Sequence, residues 1–146
     1  MANLTKPRQQ SWETWRDHNF TLASGQKVFR GSEVGLDLTT GKVQKMGSDP
    51  ALRYIGTAKE DVDATAGDRK LNVDLGCEIV VRWWMNDTTS PVRAPDEIGK
   101  LAYALDDQTA TRDNSYAPIG MVWAVSPVDG VLIQKLAPSI SELAGP

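Results

Sequence analysis

The side chains that could do chemistry in this 146-residue chain are few and poorly grouped. His18 is the only histidine and Cys77 the only cysteine. A nucleophile–histidine pair would have to use His18. That residue stands between Asp17 and Asn19, where a surface or packing role is expected. A reactive thiolate needs a nearby base or cation, so Cys77 is expected to be a small core residue. It also has no intrachain partner for a disulfide. One Cys and one His cannot supply the three or four ligands of a zinc site. Asp61-Val62-Asp63 and Asp106-Asp107 are the tight acidic pairs, and neither continues into a calcium loop. Turn or edge roles are expected for both. Nothing selects two of the 19 acidic residues for glycoside hydrolysis. Gly31-Ser32-Glu33-Val34-Gly35 is too short for a phosphate loop and leads into a strand, not a helix. The expectation is a chain with no cofactor, no metal and no catalytic residues, hence not an enzyme.

Composition narrows the partners. The net charge is −3 and the isoelectric point about 5.1. Nucleic-acid binding rests on neutralising phosphates with Lys and Arg, and no dense basic cluster occurs, so DNA and RNA are excluded as main partners. No apolar run approaches the roughly 18 residues that span a bilayer, so no membrane partner is expected. The opening residues lack the apolar h-region of an export signal, and synthesis in the cytoplasm is expected.

The elements that would position any site are short strands. Glu33–Leu38 and Lys42–Met46 flank Thr39-Thr40-Gly41, a hairpin with Gly41 at positive φ. Arg53–Val62 contains Gly56, a mark of a bulge or of close backbone approach. Arg69–Leu75 alternates, with Leu71, Val73 and Leu75 on one face. Glu78–Met85 alternates too, with Ile79, Val81, Trp83 and Met85 opposite Glu78, Val80, Arg82 and Trp84. Gly99–Leu105, Thr109–Arg112, Ala117–Val125 and Val131–Leu136 complete nine or ten strands. That count, with no long amphipathic helix, predicts an all-β fold: a small β-barrel or jelly-roll-like sandwich. Residues 25–137 form its domain, residues 1–24 an N-terminal arm and 138–146 a tail with a turn of helix at Ser139–Leu143. Tyr54-Ile55-Gly56-Thr57-Ala58 echoes Pro118-Ile119-Gly120-Met121-Val122 at a separation of 64, so the two halves are candidate pseudo-equivalent sheets.

Five tryptophans stand against three Tyr and two Phe. Trp83 and Trp123 fit core-facing strand positions. Trp84 lies on the opposite face of its strand and is an exposed anchor if nothing in the chain covers it. Trp12 and Trp15 lie three apart in the arm and would share a face of a short turn capped by Ser11. With Arg16 and Phe20 they are the candidate interface residues: Trp12, Trp15, Arg16, Phe20 and Trp84.

Gly31–Leu38, Thr40-Gly41-Lys42-Val43, Tyr54-Ile55-Gly56-Thr57-Ala58 and Val62-Asp63 together resemble the head decoration (cement) proteins of tailed phages. So do Gly99–Leu105 and Ala117-Pro118-Ile119-Gly120-Met121-Val122. The resemblance covers about residues 25–136 and is a pattern of turns and apolar positions. It implies a β-barrel protein on the outer surface of a virion capsid. There it would bridge neighbouring major capsid protein subunits and act as a homo-oligomer, a trimer or dimer. It implies no catalytic residues. A carbohydrate-binding or adhesion module is the alternative, since exposed tryptophans on sheets suit sugar stacking. A small hydrolase would need a polar cleft with perturbed carboxylates.

Overall fold

The computed structural model describes residues 17–76 and 81–135. The expected arm residues Trp12, Trp15 and Arg16, the capping Ser11, Cys77 and the turn at Ser139–Leu143 lie outside the described residues. Among those residues the fold is all-β, with twelve strands and no helix. They are β1 (Asp17–Leu22), β2 (Lys27–Val28), β3 (Glu33–Leu36), β4 (Val43–Lys45), β5 (Arg53–Ala58) and β6 (Val62–Asp63). They continue as β7 (Arg69–Asp74), β8 (Val81–Asn86), β9 (Leu101–Ala104), β10 (Thr109–Thr111), β11 (Ala117–Ser126) and β12 (Gly130–Lys135).

These strands close into two five-stranded barrels, β1-β4-β3-β5-β7 and β10-β8-β12-β11-β9, with β2 and β6 as a separate ribbon. Closure removes the sheet edges that would otherwise template aggregation. The barrels share one topology. In each, the first strand runs parallel to the third and antiparallel to the fifth. The second strand is antiparallel to the third and fourth, and the fourth to the fifth. The echo between the halves is thus a tandem repeat of a whole barrel.

The repeat extends to the irregularities. Val34 pairs with Gly56 and Gly35 with Tyr54, which leaves Ile55 as a bulge. Ala102 pairs with Gly120 and Tyr103 with Pro118, which leaves Ile119 in the same position. A bulge inserts one unpaired residue and sharpens the local twist, as a small barrel requires. The glycine beside each bulge permits close contact with the fifth strand. A Cβ on Gly56 would run into the Asp74 carbonyl oxygen, and one on Gly120 into that of Gln134.

Alternation places the cores. In β7, Leu71 and Val73 are buried while Arg69 and Lys70 are exposed. Leu22, Val28, Val34, Val43, Leu71 and Val73 belong to the first barrel's core. The second core gathers Trp84, Val92, Ile119, Val122, Val131 and Ile133, and it also takes Met46, Leu52 and Tyr54 from the first half. The two barrels therefore share a packed seam.

Aspartates build the turns. Asp37, Asp49, Asp63, Asp106 and Asp113 each accept a hydrogen bond from a backbone N–H two residues on, at 2.9–3.0 Å. Asp61 accepts from the Arg30 N–H at 2.8 Å. The acidic pairs of the sequence thus have turn and loop roles.

The arm boundary at residue 24 is corrected. Residues 17–22 form β1, paired with β7 from Asp17↔Asp74 to Leu22↔Arg69. Phe20 packs against the first core, and its ring meets His18 edge-on at 5.0 Å.

Candidate binding face

The repeat allows each residue of the second barrel to be compared with its counterpart in the first. Pairing of β1 with β7 and of β8 with β12 sets Asn19 against Trp83, Thr21 against Met85 and Asn72 against Leu132. Pairing of β5 and β11 with the fifth strands puts Lys59 in the place of Trp123. These positions share the outer surface of each barrel.

On the first barrel that surface is polar and internally paired. Lys59 Nζ lies 2.8 Å from Asp17 Oδ2, and the Lys59 ammonium holds the Asp17 carboxyl below the usual range. On the second barrel the same surface is apolar. Trp83 is 49% exposed, Met85 57% and Trp123 52%, with Val81 and Leu132 beside them. Trp123 is the bulged residue between Val122 and Ala124, and its Nε1–H donates to Gln134 Oε1 at 2.6 Å. That bond holds the indole against β12 and leaves the rest of its ring to solvent. Two half-exposed indoles with their aliphatic neighbours offer on the order of 400 Å² of apolar surface. A patch of that size matches the largest found on ordinary monomers, where it often has a function.

This arrangement corrects the expected tryptophan faces. Trp84, a candidate interface anchor, is 3% exposed, and its ring meets Tyr54 edge-on at 5.6 Å across the seam. Trp83 and Trp123, expected in the core, are the exposed pair. Phe20 is partly buried in the first barrel. Of the five expected interface residues, Phe20 and Trp84 pack inward and not on the apolar face, and Trp12, Trp15 and Arg16 lie outside the described residues. The residues that sequence reasoning missed are Trp83, Met85, Trp123 and Leu132, and the signal was in the repeat: their counterparts 64 or 60 residues earlier are Asn19, Thr21, Lys59 and Asn72.

A buried polar cluster lies at the seam between the barrels. The Glu33 carboxylate accepts hydrogen bonds from the Tyr54 hydroxyl and, at 2.9 Å, from Thr57 Oγ1. Its backbone N–H reaches the Asp107 carbonyl of the second barrel at 2.9 Å. Burial pushes the Glu33 carboxyl up to about 7, against the pull of those donors and of the Arg82 and Lys135 charges. Burial also lowers Lys135. Its ammonium donates to the carbonyls of Ile55 and Leu75, the latter at 2.8 Å. Arg82 adds a contact to Asp74 at 3.6 Å. These groups tie the two barrels together in register.

An open groove elsewhere on the seam is lined by Lys27, Phe29, Arg30, Lys45 and Gln108, with Asp107 as its carboxylate. Glu33 does not line it. Among the described residues no group of three potential ligands could hold a metal. Comparison with protein-family models, curated proteins and solved structures found no match.

Proposed function

We propose that this chain is a capsid cement protein of a tailed-phage head, which adheres to the outer surface of the shell and bridges major capsid protein subunits. The observation that carries this reading is the apolar outer face of the second barrel, set against its polar twin on the first. Two barrels of one topology have no folding reason to differ there, because both faces point away from their cores. A chain without an assigned catalytic set, with adhesive surface on one half only, suits attachment. The sequence resemblance supplies the capsid as the partner. A homo-oligomer, trimer or dimer, would present several such faces to a symmetric shell, and linkage raises the effective concentration for each later contact. Contacts formed only on the mature shell stabilise that state by mass action.

The test is Trp83→Ser with Trp123→Ser. Both rings are half outside the fold, so thermal stability should stay within about 0.5 kcal/mol. Binding to expanded shells, measured by co-sedimentation, should fall by about 100-fold or more, since central aromatic anchors contribute about 2 kcal/mol or more each. Unchanged occupancy on the shell would remove the face from the binding role. The bond that fixes Trp123 to Gln134 favours one second reading, a platform on which a sugar ring stacks. A glycan array with the same double variant tests it: saturable binding lost in the variant would replace the capsid with a saccharide.

A further inference from the structure

We infer that the open groove at the seam is a docking site for an acidic peptide segment of a partner protein, with Arg30 and Lys45 holding its carboxylates. The inference rests neither on the apolar face nor on the capsid. It comes from the groove's twin on the second barrel.

The backbone fixes the correspondence. Gly31 N–H donates to the Ala58 carbonyl and Ala58 N–H to that of Ser32; Gly99, Val122 and Lys100 repeat both bonds. Gly31 and Gly99 also share a positive φ, 98° and 84°. Ser32 therefore corresponds to Lys100. Gly35 pairs with Gln44 as Tyr103 pairs with Thr111, so the next residues, Lys45 and Arg112, correspond too. Ser32 and Lys45 line the first groove, of about 530 Å³, while Lys100 and Arg112 line the second.

The twins differ in one insertion. Buried Val28 and Val92 stand 64 residues apart, but Gly31 and Gly99 stand 68 apart. The extra residues bring a carboxylate into the second groove. Glu97 Oε2 accepts from the Arg93 N–H at 2.9 Å. Its Oε1 lies 4.0 Å from Arg112 Nη1, and the Glu97 side chain is only 15% exposed. In the first barrel Ser32 Oγ takes the place of Glu97, accepting from the Phe29 N–H at 3.1 Å, and no glutamate lines the groove. The seat that the second barrel fills from its own loop is open on the first.

Charge makes the same selection. Lys27, Arg30 and Lys45 line the first groove against Asp107 alone. Among the described residues none of these three makes an ion pair, whereas Lys42, Lys59, Arg82 and Arg112 each meet a carboxylate. Asp61 and Asp63 are near on the chain but do not line the groove, and they accept from the Arg30 and Thr65 N–H groups. In a chain at −3, this local excess of cations attracts anions. Phe29 is 56% exposed in the groove wall, with Lys27 Nζ 5.5 Å from its ring centroid. An apolar side chain next to the carboxylates, as Ile98 is to Glu97, has a surface to meet there. A carboxylate in the twin seat and an apolar wall favour an acidic peptide over a phosphate chain.

Fluorescence anisotropy of a labelled hexaglutamate peptide, titrated with the full-length protein, tests this. One peptide should bind per chain, severalfold more weakly at physiological than at low ionic strength. Arg30→Gln with Lys45→Gln should weaken binding about tenfold, the upper end for two exposed charge pairs. Arg69→Gln with Lys70→Gln, exposed cations of β7, should leave it unchanged. Glu97→Gln should raise the stoichiometry to two, because it removes the carboxylate seated in the twin groove. No saturable binding, or equal weakening by both double variants, overturns the assignment. So does a stoichiometry of one in Glu97→Gln. A hexathymidylate probe that binds more tightly than hexaglutamate at the same salt would replace the peptide with a nucleic acid. Trp83→Ser with Trp123→Ser should bind the peptide as the wild type does, so failure of the capsid reading and failure of this one are separate outcomes.

Discussion

Glu33→Gln should leave stability little changed at pH 4 and raise it by about 3 kcal/mol at pH 8. Glu33 has an ordinary carboxyl value of 4.5, raised to about 7 in the fold. The folded protein therefore holds this proton more tightly than the unfolded chain does. Stability from that proton is fully present below about 4.5 and is lost as pH rises through about 7. Each tenfold difference in proton affinity is worth about 1.4 kcal/mol, which gives the size of the loss. Gln keeps the geometry without the charge. Its carbonyl oxygen can accept from Tyr54, and its amide can donate to Thr57 Oγ1. The other charged groups at the seam, Arg82, Lys135 and Asp74, remain in place. The surface aspartates with lowered values, Asp17, Asp63, Asp68 and Asp113, act in the opposite sense and at the acid end. Denaturant melts at pH 4 and pH 8 decide the matter. A difference between variant and wild type that is the same at both pH values would show that Glu33 does not change its protonation there.

Gly120→Ala should destabilise the protein by about 3 kcal/mol, the upper end of the usual overpacking range. Its new Cβ would collide with the Gln134 carbonyl oxygen and crowd Ile133 Cγ2 at 2.8 Å. Neither the oxygen nor Ile133 can move easily. Gln134 belongs to β12, which pairs with both β8 and β11, and Ile133 is a core residue. Relief would require the β11–β12 ladder to part. At about 2–4 °C per kcal/mol for a chain of this size, the melting temperature should drop by about 10 °C. Gly56→Ala should behave alike, because it meets Asp74 and Val73 in the same way. Gly41→Ala is the comparison. There the space is open and only the positive φ of 71° resists a side chain, so the cost should be about 1 kcal/mol. Calorimetry that ranks Gly41 with or above the two bulge glycines would mean that close strand packing is not what these positions require.

Much of the fold is legible in the sequence where one face is apolar and the other is not. Arg69–Leu75 is such a strand, and Leu71 and Val73 are buried as expected. Gly41 and Gly56 were readable from turn and strand chemistry. Glu78–Met85 fails because both of its faces carry large apolar side chains. Counting apolar residues favours the Trp83 face as the inner one, yet Arg82 and Trp84 point inward: the guanidinium lies at the barrel's end beside Asp74, and the indole fills the core above it. Alternation gives the period of a strand but not the sign of its faces when the outer one is also apolar. His18, Phe20 and Leu22 alternate with Asp17, Asn19 and Thr21, but the pattern is short and follows an unpatterned stretch, so β1 reads as arm. Glu33 was invisible for another reason. Its partners Tyr54 and Thr57 lie 21 and 24 residues away, and burial of a carboxyl by a second barrel leaves no local trace.

The shared strand order also fixes a sequence of events at the ribosome. Neither barrel can close before its fifth strand is made, because that strand completes the ring with the first. The N-terminal ring is complete once Asp74 has emerged, while its sister must await Lys135. During that interval Tyr54 and Glu33 lack their cover and stand in water, where the glutamate is ionised at neutral pH. Arrival of the second ring expels that water and raises the carboxyl's hold on a proton. Docking of the two rings is therefore favoured more in mildly acidic than in alkaline surroundings.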